Sequence, residues 1–236
     1  MPELRSNLRS LPIAVKWSFT AFMAVLIPFY WSSYGPTNFL YFCDVALFLT
    51  LAAVWTEKPV YASMAAVGIV LPQVLWQVDF LGSLVGAPVS GMTSYMFDSG
   101  IPLFARFLSF FHFWLPILLV YLVYRLGYDR RAFKLWTLLA WGLMLVCYFF
   151  LPAPGDPLSH PNEPCNVNYV FGMGADAQTW MPPLAWLGLM MLVLPVVFYI
   201  PAHWTMNRLW GDRTADAERF LSPETSLLTA DAAESV

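Results

Sequence analysis

Long apolar blocks run through this sequence, and they leave the chain few ways to fold. A helix that crosses a bilayer needs about 20 mostly apolar residues. Six segments meet that length, at 13–31, 38–55, 59–83, 101–124, 132–151 and 182–204. The expected fold class is therefore all-α, a polytopic membrane protein built as a bundle of six transmembrane helices. Charged residues are 11% of the 236 and hydrophobic ones 59%, which excludes a disordered chain, a disulfide scaffold and an ordinary water-soluble enzyme. A net charge of −3 offers no basic field, so nucleic acid is not an expected partner. Cys43, Cys147 and Cys165 form no paired spacing, and three histidines are scattered along the chain. Neither a disulfide framework nor a metal site is expected, and no cofactor.

The basic residues set the topology. Eleven of the twelve Lys and Arg fall at the start of the chain up to Lys16, between segments two and three, around the turn from four to five as far as Lys134, or after six. The connections 32–37, 84–100 and 152–181 carry none; the exception is Arg106. The positive-inside rule puts both termini and the basic loops in the cytoplasm of a cell whose inner or plasma membrane holds the protein. The chain then divides into a cytoplasmic segment 1–12, a transmembrane domain 13–204 and an acidic cytoplasmic tail 205–236 that reads as solvated and disordered. Segment one is too long and aromatic for a signal peptide and lacks a small-residue cleavage site. Pro28, Pro72, Pro116 and Pro195 predict kinks. The long Pro-, Asn- and Gly-rich connection 152–181 is a candidate site loop.

Ionisable and amide side chains inside these segments are the candidate site, because hydrocarbon makes them costly. They are Asp44, Gln73, Gln77, Asp79, Arg106 and His112, with Cys43 and Cys147 as sulfur atoms. At 1.5 Å of rise per residue, Cys43 lies about 8 Å below the outer interface and His112 about 9 Å below it if Arg106 snorkels. Gln73 and Gln77 share a helix face, and Cys147 falls in the same outer half. The structural alternative for Asp44 and Asp79 is pairing with Arg106. For the glutamines it is interhelical bonding, and for Cys43, His112 and Cys147 it is packing. His160 and His203 are expected at the surface.

A cysteine and a histidine at one depth can act as nucleophile and base. The thiolate would attack a lipid ester and hold the acyl group as a thioester for transfer to an alcohol or water. Gln73, Gln77 or Asn168 could stabilise the oxyanion, and Arg106 could hold a phosphate. Loop 152–181, whose Asn-rich end leads into segment six, is expected to fold over this cluster.

Several short motifs carry a resemblance. Asn38-Phe39-Leu40-Tyr41-Phe42-Cys43-Asp44 resembles the entrance to the second helix of the YwaF-type integral membrane proteins. Gly68 to Gln73 with Asp79, Phe107 to His112, Gly127-Tyr128-Asp129-Arg130 and Asn168-Tyr169 are similar to later features of that family, in the same order over residues 38–204. Through it the chain also resembles the TMEM-type acyltransferase that remodels ether phospholipids. The resemblance implies Cys43 as acyl-accepting nucleophile and His112 as base. Tyr41 and Phe42 depart from the more polar residues the family pattern has before the cysteine, and loop 84–100 is long for it.

The leading expectation is an integral membrane lipid acyltransferase or hydrolase that uses Cys43 and His112, with membrane lipids as partners. Asp44, Gln73, Gln77, Asp79, Arg106, Asn168 and Tyr169 would form the surrounding polar cluster. Two rivals use the same residues differently. A small transporter or channel, as a homo-oligomer, would need polar continuity across the bilayer. A subunit of a larger membrane complex would bury its aromatic faces against partners.

Overall fold

A computed structural model describes residues 10–156, 164–174 and 176–211. Among these residues there are helices and turns and no strands. Helix α1 spans Ile13–Tyr34, and a 3-10 turn at Pro36–Leu40 leads to α2, Phe42–Thr56. Then come α3 (Pro59–Leu84), a 3-10 turn at Ser94–Met96, α4 (Leu103–Leu108), α5 (Phe111–Leu126) and α6 (Ala132–Phe150). A 3-10 turn at Val167–Tyr169 precedes α7 (Pro183–Leu194), which runs through a π-helical turn at Pro195–Tyr199 into α8 (Ile200–Trp210).

Five stretches are long and apolar enough to cross a membrane: α1, α3, Leu103–Leu126, α6 and Pro183–Trp210. The sixth, α2, is apolar but shorter, at 15 residues. It starts at Phe42 rather than 38 because Tyr41 is extended (φ −59°, ψ 140°) and the preceding residues coil as a tighter 3-10 turn. Segment four is broken at Ser109–Phe110, and the last segment continues as helix to Trp210 rather than ending at 204. Pro28, Pro72 and Pro116 lie inside helices, and Pro195 opens the π-helical turn. The outward surface carries large apolar side chains, with Phe150 80%, Leu103 74% and Ile117 72% exposed, as hydrocarbon contact requires.

Helix α3 is the centre of the bundle and packs against α2, α5, α6 and α8. Its buried Ala62, Ser63, Ala65, Ala66 and Gly68 form a small-residue face that lets neighbours approach closely. The Trp136 ring of α6 lies where a side chain at Gly68 would stand. The ends of the described chain meet at one end of the bundle. There Lys16 pairs with Glu57 at 2.6 Å, Tyr128 N–H donates to Trp210 O, and Asp129 N–H donates to Ser63 Oγ at 3.0 Å. His203 is half-buried at this end, not at the surface, with its Nδ1 2.6 Å from the Tyr128 hydroxyl. His160 and the tail from 212 lie outside the described residues. The candidate residues gather at the opposite end.

Candidate functional site

The site begins where α2 begins. The first N–H groups of a helix have no partner inside it. Tyr41, the residue before α2, contributes no side-chain cap. Asn168 does so from a distant loop: its Oδ1 accepts the Phe42 N–H at 2.9 Å, and its Nδ2 donates to Leu40 O at 2.9 Å and to Cys147 Sγ at 3.8 Å. The loop earns this position through unusual backbone. Asn166 (φ 57°), Asn168 (φ 60°) and Tyr169 (φ 59°) are left-handed. Asparagine tolerates that region, but a tyrosine there costs roughly 1–2 kcal/mol. Asn166 holds the turn through Gly172 O and Gly174 O, both at 2.8 Å, and Trp186 Nε1 donates to Tyr169 O at 2.9 Å. The described part of loop 152–181 thus folds onto the start of α2, as the sequence led us to expect.

Cys43 and Asp44 follow in the first turn. Their N–H groups bond no carbonyl among the described residues, since Asn168 takes Phe42 N–H and the next donor, Val45 N–H, goes to Tyr41 O. Asp44 is 3% exposed; its Oδ2 accepts Asn38 Nδ2 at 3.0 Å and its Oδ1 has no partner. Tyr30, Tyr41, Tyr95 and Tyr169, from four different elements, all lie within electrostatic reach of Cys43. Burial raises the Tyr95 phenol and pushes Tyr169 up to about 12, so both are neutral donors at pH 7.

His112 stands in the first turn of α5, just past the break. Its Nδ1 is 2.8 Å from Ser109 O. A carbonyl can only accept, so Nδ1 carries the proton and Nε2 is the basic nitrogen. The ring stacks on Trp76 at 4.7 Å and on Phe111 at 4.1 Å, which fixes its plane. Gln77 Nε2 donates to His112 O at 2.9 Å, while both amide atoms of buried Gln73 have no partner. The two glutamines share a helix face but not a role. Ser109 Oγ donates to Ala105 O at 3.2 Å and receives Tyr30 OH at 3.3 Å. No hydrogen bond joins the His112 ring to the Cys43 sulfur.

The pairing of Asp44 and Asp79 with Arg106 is not what the structure has. Asp79 Oδ1 accepts the N–H groups of Val89 (2.9 Å), Ser90 (2.6 Å) and Gly91 (2.9 Å). Its Oδ2 accepts Thr93 N–H (2.9 Å) and Thr93 Oγ1 (2.6 Å). A carboxylate with five donors is satisfied without a cation. Arg106 instead donates from Nη1 to Met96 O at 3.3 Å.

The structure therefore gathers Cys43, Asp44, Asn168 and Tyr169 at the start of α2, and Gln77 and His112 at the start of α5. Asp79 serves the loop 85–102, and Cys147 is buried against Asn168. Tyr30, Asn38, Tyr95 and Ser109 belong to the site and escape a reading of the sequence. Tyrosines are common in this chain, which hides them; the Asn38–Asp44 pair was the one signal available. Among the described residues no three His, Cys, Asp or Glu side chains gather to hold a metal ion. Compared with models of known families, with curated proteins and with solved structures, the chain matches none.

Proposed function

We propose that the protein is an intramembrane lipid acyltransferase or lipid hydrolase working through Cys43 and His112. The reading has both termini in the cytoplasm and the site in the outer leaflet of an inner or plasma membrane. The observation that carries it is the pair of carbonyl-free N–H groups at Cys43 and Asp44. N–H groups beside a nucleophile supply what a developing oxyanion requires, and here they belong to the nucleophile's own helix turn. His112 supports the reading as a base, because Ser109 O leaves Nε2 as the nitrogen that can take a proton.

His112 Nε2 takes the Cys43 thiol proton as the sulfur attacks the ester carbonyl of a lipid; the carbon–sulfur bond forms and the carbon–oxygen bond breaks. The departing alcohol takes the proton from His112. A second alcohol or water, deprotonated by His112, then attacks the thioester; the new carbon–oxygen bond forms, the carbon–sulfur bond breaks and the thiolate regains the proton from His112. A transport path is less favoured. Thr50 Oγ1 donates to Ala46 O at 2.7 Å and Ser63 Oγ accepts from Asp129, so polar groups of the other half are used internally.

Labelling in lipid nanodiscs with an acyl-lipid probe that traps thioesters tests this. Cys43→Ala should abolish labelling, and His112→Ala should slow it roughly 10²–10⁴-fold. Labelling that neither substitution changes would sink the proposal.

A further inference from the structure

A second feature lies beside this site and plays no part in the chemistry at Cys43. A cleft of about 660 Å³ opens between α3, the loop 85–102 and α4, walled by Phe80, Phe97, Phe104, Phe107 and Phe110. Its one charged side chain is Arg106. The walls face outward: Leu103 is 74% and Phe107 67% exposed. On a membrane-spanning bundle that opening meets lipid tails.

Arg106 has no carboxylate partner among the described residues. Asp79 is saturated by backbone donors, and Asp98 Oδ1 accepts Gly100 N–H at 2.8 Å. The Arg106 Nη1 bond to Met96 O fixes one edge of the guanidinium, and the buried Nε has no partner. A guanidinium with donors to spare beside an apolar cleft carries a charge that no carboxylate among the described residues offsets, which favours an anionic ligand. It is also the one Lys or Arg that the sequence places away from the basic end.

We propose that this cleft binds a glycerophospholipid, its phosphate held by Arg106 and one acyl chain laid along the aromatic wall. The Nη donors left over from the Met96 bond match phosphate oxygens. The aromatic wall selects a lipid over a free anion. Binding is read without turnover, so it stands or falls separately from the acyl-transfer proposal.

The test uses the full chain, purified and delipidated in detergent, with binding followed by native mass spectrometry. Phosphatidylglycerol, a diacylglycerol of the same chains and inorganic phosphate are the probes. Phosphatidylglycerol should bind at least about tenfold more tightly than the diacylglycerol, the worth of one charge-assisted contact. Arg106→Gln should bring it down to the diacylglycerol level, and Arg106→Lys should keep part of the difference. Millimolar phosphate should not displace the lipid. Phe107→Ala, on the exposed wall where folding is not at stake, should weaken both lipids. Equal binding of the two lipids, lipid binding untouched by Arg106→Gln or by Phe107→Ala, or displacement by inorganic phosphate would each overturn the proposal.

Discussion

Gly68→Ala offers the sharpest check of how the bundle holds its site. A β-carbon there would stand 1.9 Å from Trp136 Cε2 and 2.2 Å from Cζ2, deep inside van der Waals contact. Trp136 has no room to retreat: it is fully buried, 6.0 Å from the Phe42 ring and 6.3 Å from that of Tyr199. Two effects compete. Alanine in a helix interior gains about 1 kcal/mol over glycine. Overpacking a rigid core costs roughly 1–3 kcal/mol and sometimes more. An ångström-scale overlap with an immobile indole puts this site at the upper end, so the net effect is destabilising by about 1–2 kcal/mol. At about 2–4 °C per kcal/mol for a chain of this size, the midpoint of thermal unfolding in detergent should fall by roughly 2–8 °C. Gly142→Ala and Gly188→Ala are the controls, since nothing lies within 4 Å of either added β-carbon. They should be neutral or slightly stabilising. Because Trp136 touches Phe42, the strain should also reach the start of α2 and alter the alkylation rate of Cys43. Combining Gly68→Ala with Trp136→Phe should recover part of the loss. A midpoint for Gly68→Ala equal to or above that of the controls would refute the close approach of α3 and α6.

Two further substitutions probe the loops. Asp79→Asn replaces an acceptor facing Thr93 N–H and Oγ1 with a donor or an uncharged oxygen; it should cost about 2 kcal/mol. It should also expose loop 85–102 to chymotrypsin at Tyr95 and Phe97, and unchanged cleavage would contradict the Asp79 anchor. Asn168→Gly keeps the left-handed backbone but removes the side-chain bonds to Phe42 N–H, Leu40 O and Cys147 Sγ, so it should cost about 1–2 kcal/mol, whereas Asn168→Ala adds about 1–2 kcal/mol of strain on top. Equal unfolding midpoints for the two variants would argue against the left-handed turn.

The traverses were legible because apolar length is a one-dimensional property. What fails to show in sequence is who satisfies whom. Asp79 reads as a charge in need of a cation, yet it is satisfied by peptide N–H groups, and these have no residue signature beyond the Ser90-Gly91 turn pair. Asp44 and Asn38 bond across a 3-10 turn whose presence shifts the start of α2 by four residues. The break at Ser109–Phe110 is equally silent: no proline or glycine marks it, yet it turns Ser109 O toward His112, where it accepts the backbone N–H and sets the ring tautomer. Asn166 and Asn168 did carry a signal, since asparagine is among the few residues at ease in left-handed backbone.

The way Asp79 is neutralised bears on how the chain is made. A newly synthesised segment is oriented in the membrane by its lysines and arginines, while acidic residues weigh little. Had Asp79 needed a cation, the loop of residues 84–100 would have had to carry one, and every added lysine or arginine there would have resisted translocation. Peptide dipoles exert no such drag. In the proposed orientation the carboxylate finds its partners only once the loop has crossed and folded, so the loop would cross without a lysine or arginine to hold it back and be locked afterwards by its own backbone.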